Sequence, residues 1–192
     1  MIRKISFRDY GSIAAMHGKS ISEAFFSKLG NDFLAYLYSS FTKQKQFFGF
    51  VHVDNKEDIT GFITIAAGKS FFSRFLRSNL IHFSYNSFVG IIKHPSAILD
   101  LLRTTICLIK DDVKAQSELF SIAVNDKDRY KGIGAKLIEE AKKELHRRGI
   151  NDMKVLVDAR LKANTFYAHN GFLQYKTVKS LGRNINIYKL KI

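Results

Sequence analysis

Hydrophobic positions along the chain change their spacing several times, and each change marks a candidate element. Residues 2–7 alternate apolar and polar, as a half-buried strand does. Asp9 follows where a helix cap belongs, ahead of a short helical run through Met16. Across residues 21–41, Phe25, Phe26, Leu29, Phe33, Leu34, Leu37, Tyr38 and Phe41 recur near helical spacing, and Gly30-Asn31 breaks the run in two. Residues 47–53 and 59–66 read as a hairpin whose strands meet across Asp54-Asn-Lys-Glu-Asp58.

The second half alternates more regularly. Residues 118–124 read as a strand. A helix follows over 132–148, burying Ile133, Leu137, Ile138, Ala141 and Leu145 and stopping at Gly149. A strand over 153–157, a helix over 161–168 and two strands near 172–178 and 185–191 complete the chain. The order is β-α-α-β-β-β-α-β-α-β-β, with an insert at about 68–117 between the third and fourth strands. Such a length without structure would be improbable in a compact domain. His94-Pro95-Ser96 before Ala97-Ile-Leu-Asp-Leu-Leu predicts a helix start there. Between residues 68 and 110 the insert carries Lys69, Arg74, Arg77, Lys93, Arg103 and Lys110 against one acid, Asp100.

Composition narrows the class. At 192 residues, 46% hydrophobic and 13% aromatic, the chain can bury the core of one domain over residues 1–192. The single Cys107 excludes an internal disulfide and sits in an apolar run, where an inert buried thiol is expected. Residues 1–6 lack a signal-peptide core, and Lys93, His94, Asp100 and Arg103 interrupt the most membrane-like window, 88–109. A cytoplasmic protein with no transmembrane segment is the expectation. The net charge of +14 favours anionic ligands, while a lysine-rich source explains it equally well. Contact with an anionic membrane surface stays open. No base-reading motif is present, so nucleic acid is not expected, nor is a metal.

The strand ending at Val124, the turn Arg129-Tyr-Lys-Gly-Ile-Gly134 and the following helix form the chemically informative junction. Glycine lets an anion approach main-chain amides, and the helix start directs unpaired N–H groups to the same place. Two phosphate motifs fail here. Position 137 is Leu, so a dinucleotide fingerprint lacks its third glycine. His17-Gly-Lys-Ser20 lacks the first glycine of a triphosphate loop, because position 13 is Ile. What remains, Arg129-x-x-Gly132-x-Gly134, resembles the acetyl-CoA motif of the GNAT superfamily of N-acyltransferases. Ala163-Asn-Thr-Phe-Tyr167-Ala-His-Asn-Gly171-Phe172 resembles a second motif of that family, and together the two span roughly a third of the chain.

The resemblance implies a mixed, mostly antiparallel central sheet flanked by helices. It implies acetyl-CoA as cofactor and transfer of the acetyl group to an amine. Its pyrophosphate would rest on the amides of Arg129, Tyr130, Lys131, Gly132, Ile133, Gly134 and Ala135, and its thioester arm on those of Ile122, Ala123 and Val124. Tyr167 would serve the departing sulfur and Asn164 the arm of the cofactor, while Arg160 departs from the asparagine many relatives carry there. Glu118 is the candidate base, since period two places it with Phe120, Ile122 and Val124 on one strand face. His52, His82, Tyr85 and Glu23 are alternatives, and relatives without a dedicated base are common. The acceptor is expected to be small and anionic, a nucleotide-linked amino sugar by a further resemblance of residues 21–34 to bacterial sugar-modifying members. Arg74, Arg77, His82 and Tyr85 would contact it. Protein, peptide and other amine acceptors, a membrane-peripheral enzyme and a CoA-binding module without catalysis remain open. The family also brings a homodimer as an expectation.

Overall fold

The structure, a computed structural model, describes residues 1–68 and 97–192. Seven strands form one sheet: β1 (Ile2–Lys4), β2 (Phe47–Val53), β3 (Ile59–Ala67), β4 (Ser117–Val124), β5 (Asp152–Asp158), β6 (Leu173–Ser180) and β7 (Arg183–Lys191). Their spatial order is β1-β2-β3-β4-β5-β7-β6, and β4–β5 is the one parallel pair among them. The helices are α1 (Tyr10–Ser20), α2 (Phe25–Lys28), α3 (Asn31–Thr42), α4 (Ala97–Lys110), α5 (Ile133–Arg147) and α6 (Ala163–His169).

Apolar side chains on both faces of the sheet make three layers. On one face α1, α2 and α3 bury Ile13, Phe25, Leu34, Leu37 and Phe41 against Val51, Phe62, Ala66 and Ala123. On the other, α5 buries Ile133, Leu137, Ile138, Ala141 and Leu145 against Ile63, Ile65, Leu119, Met153 and Val155. These five α5 residues are the stripe expected from periodicity. Gly30 (φ 95°) separates α2 from α3, and Gly149 (φ 68°) follows the end of α5, both as expected.

Local chemistry shifts several boundaries. Asp9 does not cap α1. Its carboxylate reaches back to accept from the Ser6 N–H (2.7 Å) and receives the Arg3 guanidinium on both oxygens (2.7 and 2.8 Å), which ties β1 to the helix start. The helix α1 continues to Ser20, four residues past the expected end, so His17-Gly-Lys-Ser20 is helix rather than loop. The helix expected after His94-Pro95-Ser96 is α4. It docks through Asp100, which holds Lys28 of α2 (2.5 Å) and Arg103 (2.9 Å), and through Ser180 of β6, which donates to the Arg103 carbonyl (2.6 Å). The side chain of Cys107 lies outside the described residues, as do Arg74, Arg77, His82 and Tyr85.

A Cβ on Gly134 would stand 2.9 Å from two ring atoms of Phe166, so this glycine lets α5 lie against α6. Gly134→Ala is therefore expected to cost about 1–3 kcal/mol through overpacking. Gly11→Ala, in open space at the start of α1, should be neutral or stabilising. Thermal melts of the two variants check the contrast.

Candidate active site

The strands β4 and β5 pair only at Ser117↔Met153 and Glu118↔Lys154. Beyond that point β5 continues its pairing with β7 through Asp158, while β4 keeps only β3. The sheet opens as a V whose mouth lies at the C-terminal ends of both strands. Main-chain groups on the open edge of β4 have no partner strand among the described residues.

Which amides face the opening follows from ladder parity. The Asn125 N–H donates to Thr60 (2.9 Å), so Asn125, Ala123 and Ser121 turn toward β3. Ile122 and Val124 turn their N–H groups into the opening, whereas the Ala123 amide belongs to the β3 ladder and leaves the expected set. A β-bulge produces this parity. Thr64 pairs with Ser121 and Ile65 with Leu119, leaving Phe120 without a partner on β3.

The bulge also corrects the face assigned to Glu118. Cross-strand partners share a face, and Glu118 lies opposite Ala66 of the α1–α3 core. Ile122 and Val124 lie opposite Ile63 and Gly61 and pack toward α5. Strict alternation placed all of them together, and the extra residue separates them.

Past Val124 the chain makes a short 3-10 turn (Asp126–Asp128) and enters α5 with Gly132 at φ 77° as its N-cap. The Arg129 N–H donates to Asp126 (3.4 Å), so it drops out of the expected donor set. The N–H groups of residues 130–135 find no acceptor among the described residues, and the first helical bond of α5 is Lys136 N–H to Gly132 (3.0 Å). Six consecutive free donors at a helix start form an anion-binding concavity. Nothing lies within 4 Å of where a Gly132 Cβ would stand, so the space above the loop is open. Tyr130, also left-handed at φ 63°, stands fully exposed beside it. Arg129 and Lys131 pair with Asp126 and Asp128 (2.9 Å each), half-exposed contacts that an incoming diphosphate can displace.

On the α5–α6 side, Tyr167 has its ring buried against Phe166, Phe172 and Tyr188, and its hydroxyl makes no hydrogen bond among the described residues. Burial raises its pKa well above the usual phenol value, so it stays protonated. Asn164 has no spare capacity. Its Nδ2 donates to Asp158 (2.9 Å) and Leu161 (2.6 Å), and its Oδ1 accepts from Asn186 (2.9 Å) and Tyr188 (3.1 Å). The contact expected from it to a cofactor arm would break this clamp, so Asn164 instead fixes the end of β5. Arg160 pairs with Asp158 at 2.7 Å.

On the other side, Glu118 is partly buried at the root of the V, and burial pushes its carboxyl up to about 7 against the opposing charge of Lys154. Lys154 is turned away by an ion pair with Asp111 and a bond to the Val113 carbonyl (3.1 Å). Of the alternatives to Glu118, His82 and Tyr85 lie outside the described residues, and Glu23 and His52 fall away on position. Glu23 pairs with Arg183 at the surface (3.4 Å). His52 bonds Thr60 (2.6 Å) and lines a groove of about 480 Å³ with Met1, Lys136 and Glu139, separated from the open edge of β4 by β3. Sequence reasoning missed the buried polar residues behind β4, namely His17, Tyr38, Thr64 and Ser121. Their signal was four polar or titratable groups amid apolar spacing.

Comparison with known proteins agrees with this geometry. Residues 105–185 match the acetyltransferase (GNAT) domain family. The match supports an N-acetyltransferase that takes acetyl-CoA as its donor. The matched stretch contains β4, the donor loop, α5, β5 and Tyr167. No curated protein sequence matches the chain. Among solved structures, an N-acetyltransferase from Staphylococcus aureus Mu50 is similar at TM-score 0.66 and 17% identity, covering 100% of this chain and 97% of that one. The PaiA N-acetyltransferase from Thermoplasma acidophilum, in complex with coenzyme A, gives 0.64 and 16%, covering 100% and 98%. The ribosomal-protein-S18-alanine N-acetyltransferase from Escherichia coli gives 0.61 and 15%, covering 100% and 93%. At these identities the likeness establishes the fold. Among the described residues no helix is long and apolar enough to cross a membrane, and no group of residues is arranged to hold a metal ion.

A β-branched side chain at a left-handed N-cap is strained and would fill the space over the donors. Gly132→Val should weaken coenzyme A binding at least a hundredfold in calorimetry, and an unchanged affinity would place the cofactor elsewhere.

Proposed function

We propose that this acetyltransferase moves an acetyl group from acetyl-CoA directly to a primary amine within a ternary complex. The row of free amides at residues 130–135, next to the opened edge of β4, carries the reading. A diphosphate seated on those amides sends the pantetheine arm along β4 into the V. The amides of Ile122 and Val124 then face the thioester oxygen, where one preorganised donor contributes about 3 kcal/mol to stabilising the oxyanion.

The two faces of the sheet divide the proton chemistry. The amine approaches from the α1–α3 side, where Glu118 sits. Glu118 lies four residues from Ile122, on the order of 10 Å along the strand, so the amine proton reaches it through water. The nitrogen attacks the carbonyl carbon, the C–S bond breaks, and the thiolate leaves on the α5–α6 side. There the Tyr167 hydroxyl donates to the sulfur. Its raised pKa makes it a hydrogen-bond donor that steadies the thiolate more readily than one that surrenders its proton outright.

A small anionic acceptor, with a nucleotide-linked amino sugar as the favoured example, suits the charge of the rim. Around the mouth of the V, Lys28, Arg103, Arg160 and Arg183 outnumber Glu23, Asp100 and Asp158. Together with the +14 net charge this repels polyamines and draws anions. A thiol-release screen with nucleotide amino sugars, peptides and polyamines tests the choice. Turnover confined to peptides would overturn it in favour of a protein acceptor.

A carboxyl titrating near 7 is protonated below that pH and cannot accept a proton, so kcat/KM should rise with pH through about 7 and level off. Glu118→Gln should remove that limb and lower kcat/KM about a hundredfold; a wild-type profile flat from pH 5.5 to 8.5 would dismiss Glu118 as the base. Tyr167→Phe should lower kcat about tenfold while coenzyme A affinity, measured by calorimetry, stays within about twofold.

A further inference from the structure

The bulge at Phe120 decides which amides of β4 face the V, and nothing in the chain connectivity fixes it. In a hairpin the turn sets the register. Here residues 68–116 separate β3 from β4, so no tight turn does so. At the start of β4 the Gly68 N–H donates to Gln116 (2.7 Å), which turns Gln116 and Glu118 toward β3. A regular ladder continuing from there would turn Phe120, Ile122 and Val124 toward β3 as well. It would present Ser121 and Ala123 to the cofactor instead. Something must hold the slipped register.

A buried polar chain meets the strand at the slip. Ser121 Oγ lies 2.6 Å from Thr64 Oγ1 on β3 and 2.8 Å from the Tyr38 hydroxyl on α3. That hydroxyl lies 2.5 Å from His17 Nδ1 on α1. All four side chains are sealed from solvent. The extruded Phe120 ring enters the aromatic cluster of Phe26, Phe41 and Phe47 on the same face. Moving β4 by one residue to erase the bulge would put Phe120 opposite Thr64. It would strand the Thr64, Tyr38 and His17 polar atoms in an apolar core, where unpaired groups are costly.

We infer that His17, Tyr38, Thr64 and Ser121 are positioning residues, which lock the β4 register so that the Ile122 and Val124 amides point at the thioester oxygen. The inference rests on the proposed acetyl transfer for its kinetic consequence, while its structural consequence stands alone. None of the four touches the cofactor. The donor loop at residues 130–135 is built separately, on the Gly132 cap and the start of α5, so cofactor affinity and turnover should separate.

Ser121→Ala and Thr64→Val test this together, with Ile13→Val as a control in the same core away from the bulge. Hydrogen exchange followed by NMR on the free protein reads the register without any substrate. In the wild type Ser121 and Ala123 should be protected and Ile122 and Val124 should exchange at least a hundredfold faster. In the Ser121 and Thr64 variants this contrast should shrink or invert. With an accepted amine, kcat at saturating acetyl-CoA should fall tenfold or more while coenzyme A affinity stays within threefold, and Ile13→Val should keep wild-type kcat. Folded variants with the wild-type exchange pattern and kcat would overturn the inference, as would an equal loss in Ile13→Val. A register change without coenzyme A binding to the wild type would instead remove the proposed function and leave the register role standing.

Discussion

The parting of β4 from β5 after two residue pairs is the constraint on which the site depends. A parallel pair in the middle of a sheet ordinarily satisfies its amides along its whole length, and a buried unpaired donor costs about 1–3 kcal/mol. The Ile122 and Val124 amides forgo such pairing, and the N–H groups of residues 130–135, on a loop open to solvent, add six more donors without a partner among the described residues. Donors left without protein partners in one continuous track need acceptors from elsewhere. A diphosphate followed by an amide-bearing arm and a thioester supplies them in that order.

Holding the sheet open takes support from both faces. On one, Asn164 spends all four of its hydrogen bonds on clamping β5, β7 and the start of α6. On the other, the His17–Tyr38–Ser121–Thr64 chain holds β4 against β3. Burial pushes His17 down to about 4, so its ring is neutral at physiological pH and fit to exchange a single hydrogen bond with Tyr38. The functional groups divide the same way, with Glu118 on the α1–α3 face and Tyr167 among the α5–α6 residues. Proton removal from an amine and support of a leaving thiolate need different surroundings. In the proposed mechanism, two sides of one opening would provide them without the two groups neutralising each other.

Much of this was legible in the residues. Long elements with strong periodicity, β2, β3, α3 and α5, emerged within a residue or two, because each buries an unbroken stripe. The Arg129-x-x-Gly132-x-Gly134 turn located the donor loop. The misread details share a cause: pattern rules assume regular geometry and free side chains. Period two could not register one extra residue at Phe120, so Glu118 was grouped with Ile122 and Val124 on the wrong face. Ala123 was counted as an open donor because no sequence rule says which edge of a strand is paired. Asp9, an ideal cap by type, was diverted by Arg3 on the preceding strand, and Asn164 was absorbed by three tertiary partners.

The two motif glycines show why a pattern can be right for mixed reasons. Gly132 adopts a left-handed conformation with open space above it, the geometry that an approaching anion would need. Gly134 does not face that space. Its missing Cβ makes room for the ring of Phe166, the residue before Tyr167. The second glycine of the loop motif therefore acts through the second motif, letting α5 lie against Phe166 of α6. Two motifs separated by some thirty residues in sequence are mechanically one part, which is why finding both says more about the site than finding either alone.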